Sequence, residues 1–337
     1  MREALAPAAL AGALALAAIV AAHAQTPTGD ARAPAADVDP AVVRRLQALD
    51  PERISATDVA EVLARVPAPR IVLLEGSIAL VNMDSFAEYL MAMGYPGDRI
   101  RSPRDGRMSG SSFTDSRQLA GMVAWYYEAE GMPPILIGHS KGGALVISVL
   151  YELAGELSDS IHVWNPLTDR EESRTTIADP ATGDVRPVVG LRLRYAAALA
   201  TGKLPRLLTG QWWLLSRLRR IPDSVEDFTG FSIEWDMIAG DFGGSDPYTP
   251  IGTATVRNVT LPASYTHIGL PRVEHLAANP VTRAWIDAYD PRTHPDLPDP
   301  QTADTANLVH AADIWHSVKK AWCVSARQRL NASRATQ

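Results

Sequence analysis

The chain has 337 residues, 46% of them apolar and 21% charged, enough to bury one large core or two modest ones. A net charge of -6 leaves no basic excess, so composition argues against a nucleic-acid partner. The single cysteine, Cys323, excludes an internal disulfide and a cysteine-rich metal site.

The first residues have the pattern of an export signal. Arg2 precedes an alanine- and leucine-rich run from Leu5 to Ala22, and Ala22-His23-Ala24 has the small-x-small form at which such signals are cut. The run is also borderline for a membrane anchor, but the Pro-, Ala- and Asp-rich stretch after it suits a mature N-terminus better. Residues 1–24 are therefore read as a signal peptide and the protein as periplasmic or secreted. Residues 25–69 form a linker and short helices: Pro27, Gly29, Pro34 and Pro40 prevent regular structure at first. Pro40 then opens a helix through Leu49. Ser55 to Asp58 offer caps for a second helix in which Val59, Val62, Leu63 and Val66 share a face.

Arg70 to Gly76 carries the apolar run Ile71 to Leu74 and is closed by glycine, the pattern of a strand buried on both faces of a parallel sheet. A helix follows from Asp84 to Met93, then a short strand over Asp98 to Ser102, then a helix from the capping segment Ser112 to Asp115 through Glu130. Ile135 to Ile137 and Ile161 to Asn165 read as strands. Residues 166–230 break the alternation with a Leu-, Trp- and Arg-rich insertion, after which Phe231 to Ala239 and Val256 to Leu261 restore strands. Alternation of this kind predicts α/β architecture with ligands at the carboxyl ends of the strands. Residues 290–337 form a tail whose Leu308, Ala311, Ala312, Trp315, Val318 and Trp322 recur at helical spacing, so it packs on the body.

Gly138-His139-Ser140-Lys141-Gly142 lies between the strand at Ile135 and a helical run from Gly143 to Leu153. A serine on so sharp a strand-to-helix turn projects its hydroxyl above the sheet, and the two glycines let strand and helix close on each other. Serine is a weak nucleophile at its free pKa and needs a base oriented by a carboxylate. His139 and His162 sit on or beside strands, and His294, His310 and His316 belong to the tail, which leaves His267 and His275. The backbone amide of Lys141, next to the nucleophile, supplies one donor to a developing oxyanion.

These motifs resemble the α/β-hydrolase family. Arg257 to Leu261 followed by Thr266-His267-Ile268-Gly269-Leu270 is similar to the last strand and histidine loop of small bacterial lipases. The resemblance covers Arg70 to Tyr289 apart from the insertion. It implies a mostly parallel, doubly wound sheet of about six strands, without the two leading strands of larger members, as one domain over 70–289. It makes His267 the base with His275 as alternate. The family's chain order selects Asp246 as the acid, with Asp241 as runner-up and Asp236 and Asp169 behind it. It places the second oxyanion donor at Ser77, within Glu75-Gly76-Ser77-Ile78, where Glu75 departs from the family's histidine.

The insertion at 166–230 reads equally as a helical cap over the active site, which would favour a lipophilic ester, or as a second small core with a basic face. A third reading rests its Trp- and Arg-bearing helix on a membrane surface. The function implied is an exported serine hydrolase that cleaves a carboxylic ester through an acyl-enzyme, with no cofactor and no metal. The alternatives are an acyltransferase using the same residues and a non-catalytic hydrolase fold acting as a binding or envelope module.

Overall fold

A computed structural model describes residues 38–77, 81–203, 212–242, 245–293 and 295–335. The export signal and most of the linker, with the heart of the Leu- and Arg-rich segment, Leu204 to Leu208, lie outside the described residues. Among the described residues no helix is long and apolar enough to cross a membrane.

Six parallel strands form one sheet: β1 (Ile71–Leu74), β2 (Ser109–Gly110), β3 (Ile135–His139), β4 (Leu193–Leu199), β5 (Val225–Ile233) and β6 (Thr255–Leu261), in the order β6-β5-β4-β3-β1-β2. Strands alternate residues between two cores. Ile135 and Ile137 of β3 enter one, Leu136 the other; Tyr195, Ala197 and Leu199 of β4 enter the first, Ala196 and Ala198 the second. The second core holds α4 (Ser116–Glu130) and α5 (Lys141–Leu153). The first holds α1 (Pro40–Ala48), α2 (Ala56–Glu61), α3 (Asp84–Ala92), α6 (Pro280–Ala288) and α7 (Leu308–Ala335). Apolar burial on both faces at once is what makes a parallel sheet stable. This is the α/β-hydrolase fold.

Local chemistry sets the element ends. Asp39 and Ser55 cap α1 and α2, the latter with a full capping box. Asp115 caps α4 by accepting from the amides of Arg117 and Gln118, so the helix starts after the Ser112 segment, and left-handed Gly131 ends it. The tail helix α7 buries Leu308, Ala311, Ala312, Trp315, Val318 and Trp322 completely, together with Cys323.

Three sequence expectations are corrected. Asp98 to Ser102 is not a strand: Gly97–Arg99 forms a 3-10 turn that plugs Ile100 into the core, and the edge strand is Ser109–Gly110. Ile161 and Val163 are buried, but only Trp164–Asn165 is extended, pairing antiparallel with Arg170–Glu171 outside the main sheet. The stretch 166–230 is not a helical insertion throughout, because it contributes β4 and the start of β5 to the sheet. Its described helix, Trp212–Leu215, is a single turn, and Leu214 and Leu218 are buried in the second core.

Candidate active site

The turn after β3 holds Ser140 at φ 52°, ψ -112°, a left-handed conformation that a non-glycine residue keeps only when its surroundings enforce it. The enforcement is visible. The Ser140 amide donates to Leu199 O on β4 at 2.7 Å, and Thr201 Oγ1 donates to Ser140 O at 3.1 Å. A Cβ at Gly138 would stand 2.3 Å from the backbone of Gly142, and one at Gly142 would stand 2.3 Å from Leu74 O. Both glycines are thus required by close approach of strand and helix. Gly143 is a third, since its Cβ would fall 2.0 Å from Thr201 Oγ1.

Ser140 is placed at the head of α5, where helical N–H groups and the positive end of the dipole face outward. The amide of Lys141 is the first of these. The loop after β1 runs beside the serine: a Cβ on Gly76 would be 3.5 Å from Ser140 Cβ. Buried Ser112 pins that loop by donating its hydroxyl to Gly76 O at 3.1 Å, and the Glu75 amide donates to Gly110 O at 3.0 Å. Burial, reinforced by Asp84, raises the Glu75 pKa against the opposing pull of Arg107. Ser77 is exposed at the end of this loop. The Lys141 ammonium lies over the ring of Phe113, 3.0 Å from its centroid, rather than extending into solvent alone.

His267 opens a 3-10 turn after β6 and is buried. Its Nδ1 donates to Asp236 Oδ2 at 2.7 Å, with both side chains almost wholly excluded from solvent. This fixes the tautomer: the proton on Nδ1 leaves Nε2 as the basic nitrogen. Asp236 Oδ1 accepts from the amides of Ile238 at 3.1 Å and Ala239 at 2.9 Å. Burial alone would raise the Asp236 pKa. The bond from His267 and those two amides overcome it and hold the carboxyl below its ordinary value.

The carboxylate bonded to His267 is therefore Asp236, and the other acid candidates are engaged elsewhere. Asp246 is exposed and ion-paired with Lys203, not with a histidine. Asp241 pairs across a short antiparallel hairpin with Asp236, and its nearest cation is Arg219 at 3.9 Å; burial raises its pKa. Asp169 accepts from Trp164 Nε1 and pairs with Arg104. The alternate base His275 faces Asp304 at 3.4 Å. Asp236 ranks behind Asp246 and Asp241 in the sequence because the run Phe231 to Ala239 reads as a strand that would contain it. In fact β5 ends at Ile233, and Trp235–Asp236 begins the hairpin that turns the carboxylate toward His267.

Among the described residues no group of three or more His, Cys, Asp or Glu side chains is arranged to hold a metal ion. A cavity of about 680 Å³ lies beyond the His267 loop, lined by Tyr265, Thr266 and the segment from Pro300 to Asn307, and does not include Ser140.

Sheet order, serine turn and a buried imidazole–carboxylate pair define the class: the chain has the fold of an α/β serine hydrolase. No family model matches it. Over 114 residues, 31% of this chain and 37% of the relative, it is 33% identical to a phosphatidylcholine-sterol acyltransferase of Gerbilliscus gambianus, so the match spans little more than a third of that protein. A solved α/β serine hydrolase homologue from Coxiella burnetii aligns at 11% identity and a TM-score of 0.31, covering 62% of this chain and 82% of that one.

Proposed function

We propose that the protein is a serine hydrolase that cleaves a carboxylic ester through an acyl-enzyme, with Ser140 as nucleophile, His267 as base and Asp236 as the orienting acid. The observation that carries this reading is the buried 2.7 Å bond from His267 Nδ1 to Asp236, near a serine held in a strained turn at a helix N-terminus. His267 Nε2 takes the Ser140 proton as Oγ bonds to the acyl carbon. The amides of Lys141 and Ser77 receive the oxyanion. Collapse breaks the ester C–O bond, and the departing alkoxide takes the proton from His267. Water then repeats the sequence, releasing the acid and restoring Ser140.

A lipophilic substrate is supported by the rim. Exposed apolar side chains flank the acid and the base, namely Trp235, Met237 and Ile238 around Asp236 and Ile268 beside His267, and Phe113 lies against Lys141. The N-terminal pattern from Arg2 to Ala24 supports export to the periplasm or beyond. A second reading, transfer of the acyl group to an alcohol, is favoured by the partial likeness to an acyltransferase. It uses the same acyl-enzyme, and product analysis with competing alcohols separates the two. The primary test is labelling by a fluorophosphonate probe. The parent is expected to label and Ser140→Ala not to; a folded parent that stays unlabelled refutes the proposal.

A further inference from the structure

His139, the residue before the nucleophile, is nearly inaccessible to solvent, yet it is neither core filler nor part of the proton path. Its Nε2 lies 2.8 Å from His267 O. A carbonyl only accepts, so Nε2 carries the proton and donates it. The two imidazole rings stand 5.0 Å apart between centroids. On the opposite edge, Nδ1 is buried without a hydrogen-bond partner and faces the oxyanion loop, where a Cβ on Gly76 would come within 3.0 Å of it. One ring thus touches three parts of the site: the serine turn through the chain, the oxyanion loop by packing, and the base through a main-chain bond.

We propose that His139 is a positioning residue, which sets the distance between His267 and Ser140 by holding the base's own carbonyl. This inference rests on the serine-hydrolase reading. The bond needs one proton on His139 and no more. Burial, aided by the neighbouring His267, drives its pKa down to about 3, so the ring stays neutral while His267 gains and loses its proton. A charged ring at this spacing would oppose formation of the His267 imidazolium. The missing Cβ at Gly76 belongs to the same arrangement, because any larger residue would press on the ring edge and tilt its donor away from His267 O.

The test uses the full chain and a fluorophosphonate, with maximal inactivation rate separated from probe affinity. His139→Leu removes the donor and keeps bulk. It is expected to lower the maximal rate by about 10- to 100-fold with probe affinity unchanged, the scale of a misplaced catalytic group. His139→Gln places an amide N–H near the position of Nε2 and is expected to recover most of the loss. A His139→Leu rate equal to the parent's, or a His139→Gln variant no better than His139→Leu, would overturn the proposal. Nitrogen NMR of the parent gives a reading without any variant. His139 should show the neutral Nε2–H tautomer from pH 5 to 8, and a protonated or Nδ1–H ring would also overturn it. An unlabelled parent, by contrast, would count against the hydrolase reading alone.

Discussion

Replacing Asp236 by asparagine tests the assignment of the acid most sharply, because the structure dictates how the amide must sit. Asp236 Oδ1 accepts two backbone N–H groups, from Ile238 and Ala239, and only an oxygen can fill that place. The asparagine carbonyl takes it, and the NH2 group is left facing His267 Nδ1. Two donors cannot face each other at 2.7 Å, so the imidazole moves its proton to Nε2 and Nδ1 becomes the acceptor. Nε2 then has no lone pair for the Ser140 proton. A triad whose base is locked in the wrong tautomer loses about 10⁴ in turnover, or roughly 5 kcal/mol of transition-state stabilisation. The fold should survive, since bulk and hydrogen-bond count are preserved. The matched control is Asp246→Asn. That carboxylate is exposed and pairs with Lys203, an arrangement worth about 0–1 kcal/mol, and its loss should leave the rate within about twofold of the parent. The assay is hydrolysis of a p-nitrophenyl ester alongside the rate of fluorophosphonate labelling, with circular dichroism to confirm folding. An Asp236→Asn variant within tenfold of the parent, paired with a crippled Asp246→Asn, would refute the reasoning.

Two further outcomes are expected. Burial holds His139 near pKa 3 and His310 near 4, whereas an unfolded imidazole titrates near 6.5. The unfolded chain therefore binds these protons first as pH falls. Their contribution is complete above about pH 6.5 and drains away toward the folded values, at about 2 kcal/mol per ring by pH 5. Urea unfolding at pH 7.5 and pH 5 should show the parent losing about 2 kcal/mol more than His310→Gln, and identical losses would contradict neutral burial. Gly142→Ala forces a methyl to within 2.3 Å of Leu74 O, backbone that cannot swing aside. A loss of about 3 kcal/mol in unfolding free energy and of most labelling is expected; a variant with the parent's stability and labelling would show that the turn is looser than it looks.

How far the site could be read without coordinates depended on the range of the chemistry involved. Ser140 was legible because its requirements are local: a strand, a turn and a helix within one short stretch of chain. His267 was nearly as plain, following directly on β6. The acid was not, because Asp236, Asp241 and Asp246 crowd one loop and their difference lies in what reaches them from elsewhere. Lys203 claims Asp246 from the end of β4, while the 235–242 hairpin turns Asp236 inward. The same limit explains the misread middle of the chain. Leu193 to Leu199 falls inside the stretch read as an insertion, yet it is a central strand lying against α5, where Ala198 would stand 3.2 Å from a Cβ on Gly143. Small side chains are wanted there because α5 presses on the sheet, a demand set by residues far away in sequence. The sequence shows His139 only as a residue at a strand end, whereas its bond to His267 O and its packing on the Gly76 loop depend on segments remote from it.

The helix α7 has a bearing on where His267 stands. His310 Nε2 donates to Leu270 O at 2.8 Å, and Asn307, just before the helix, donates to Gly269 O at 2.8 Å and Arg272 O at 3.0 Å. The loop that carries His267 is thus clasped by α7 and the residue just before it, a part of the chain remote from that loop in sequence. Losing those three bonds would therefore loosen the His267 loop while leaving the serine turn, whose own bonds run to Leu199 and Thr201, in place.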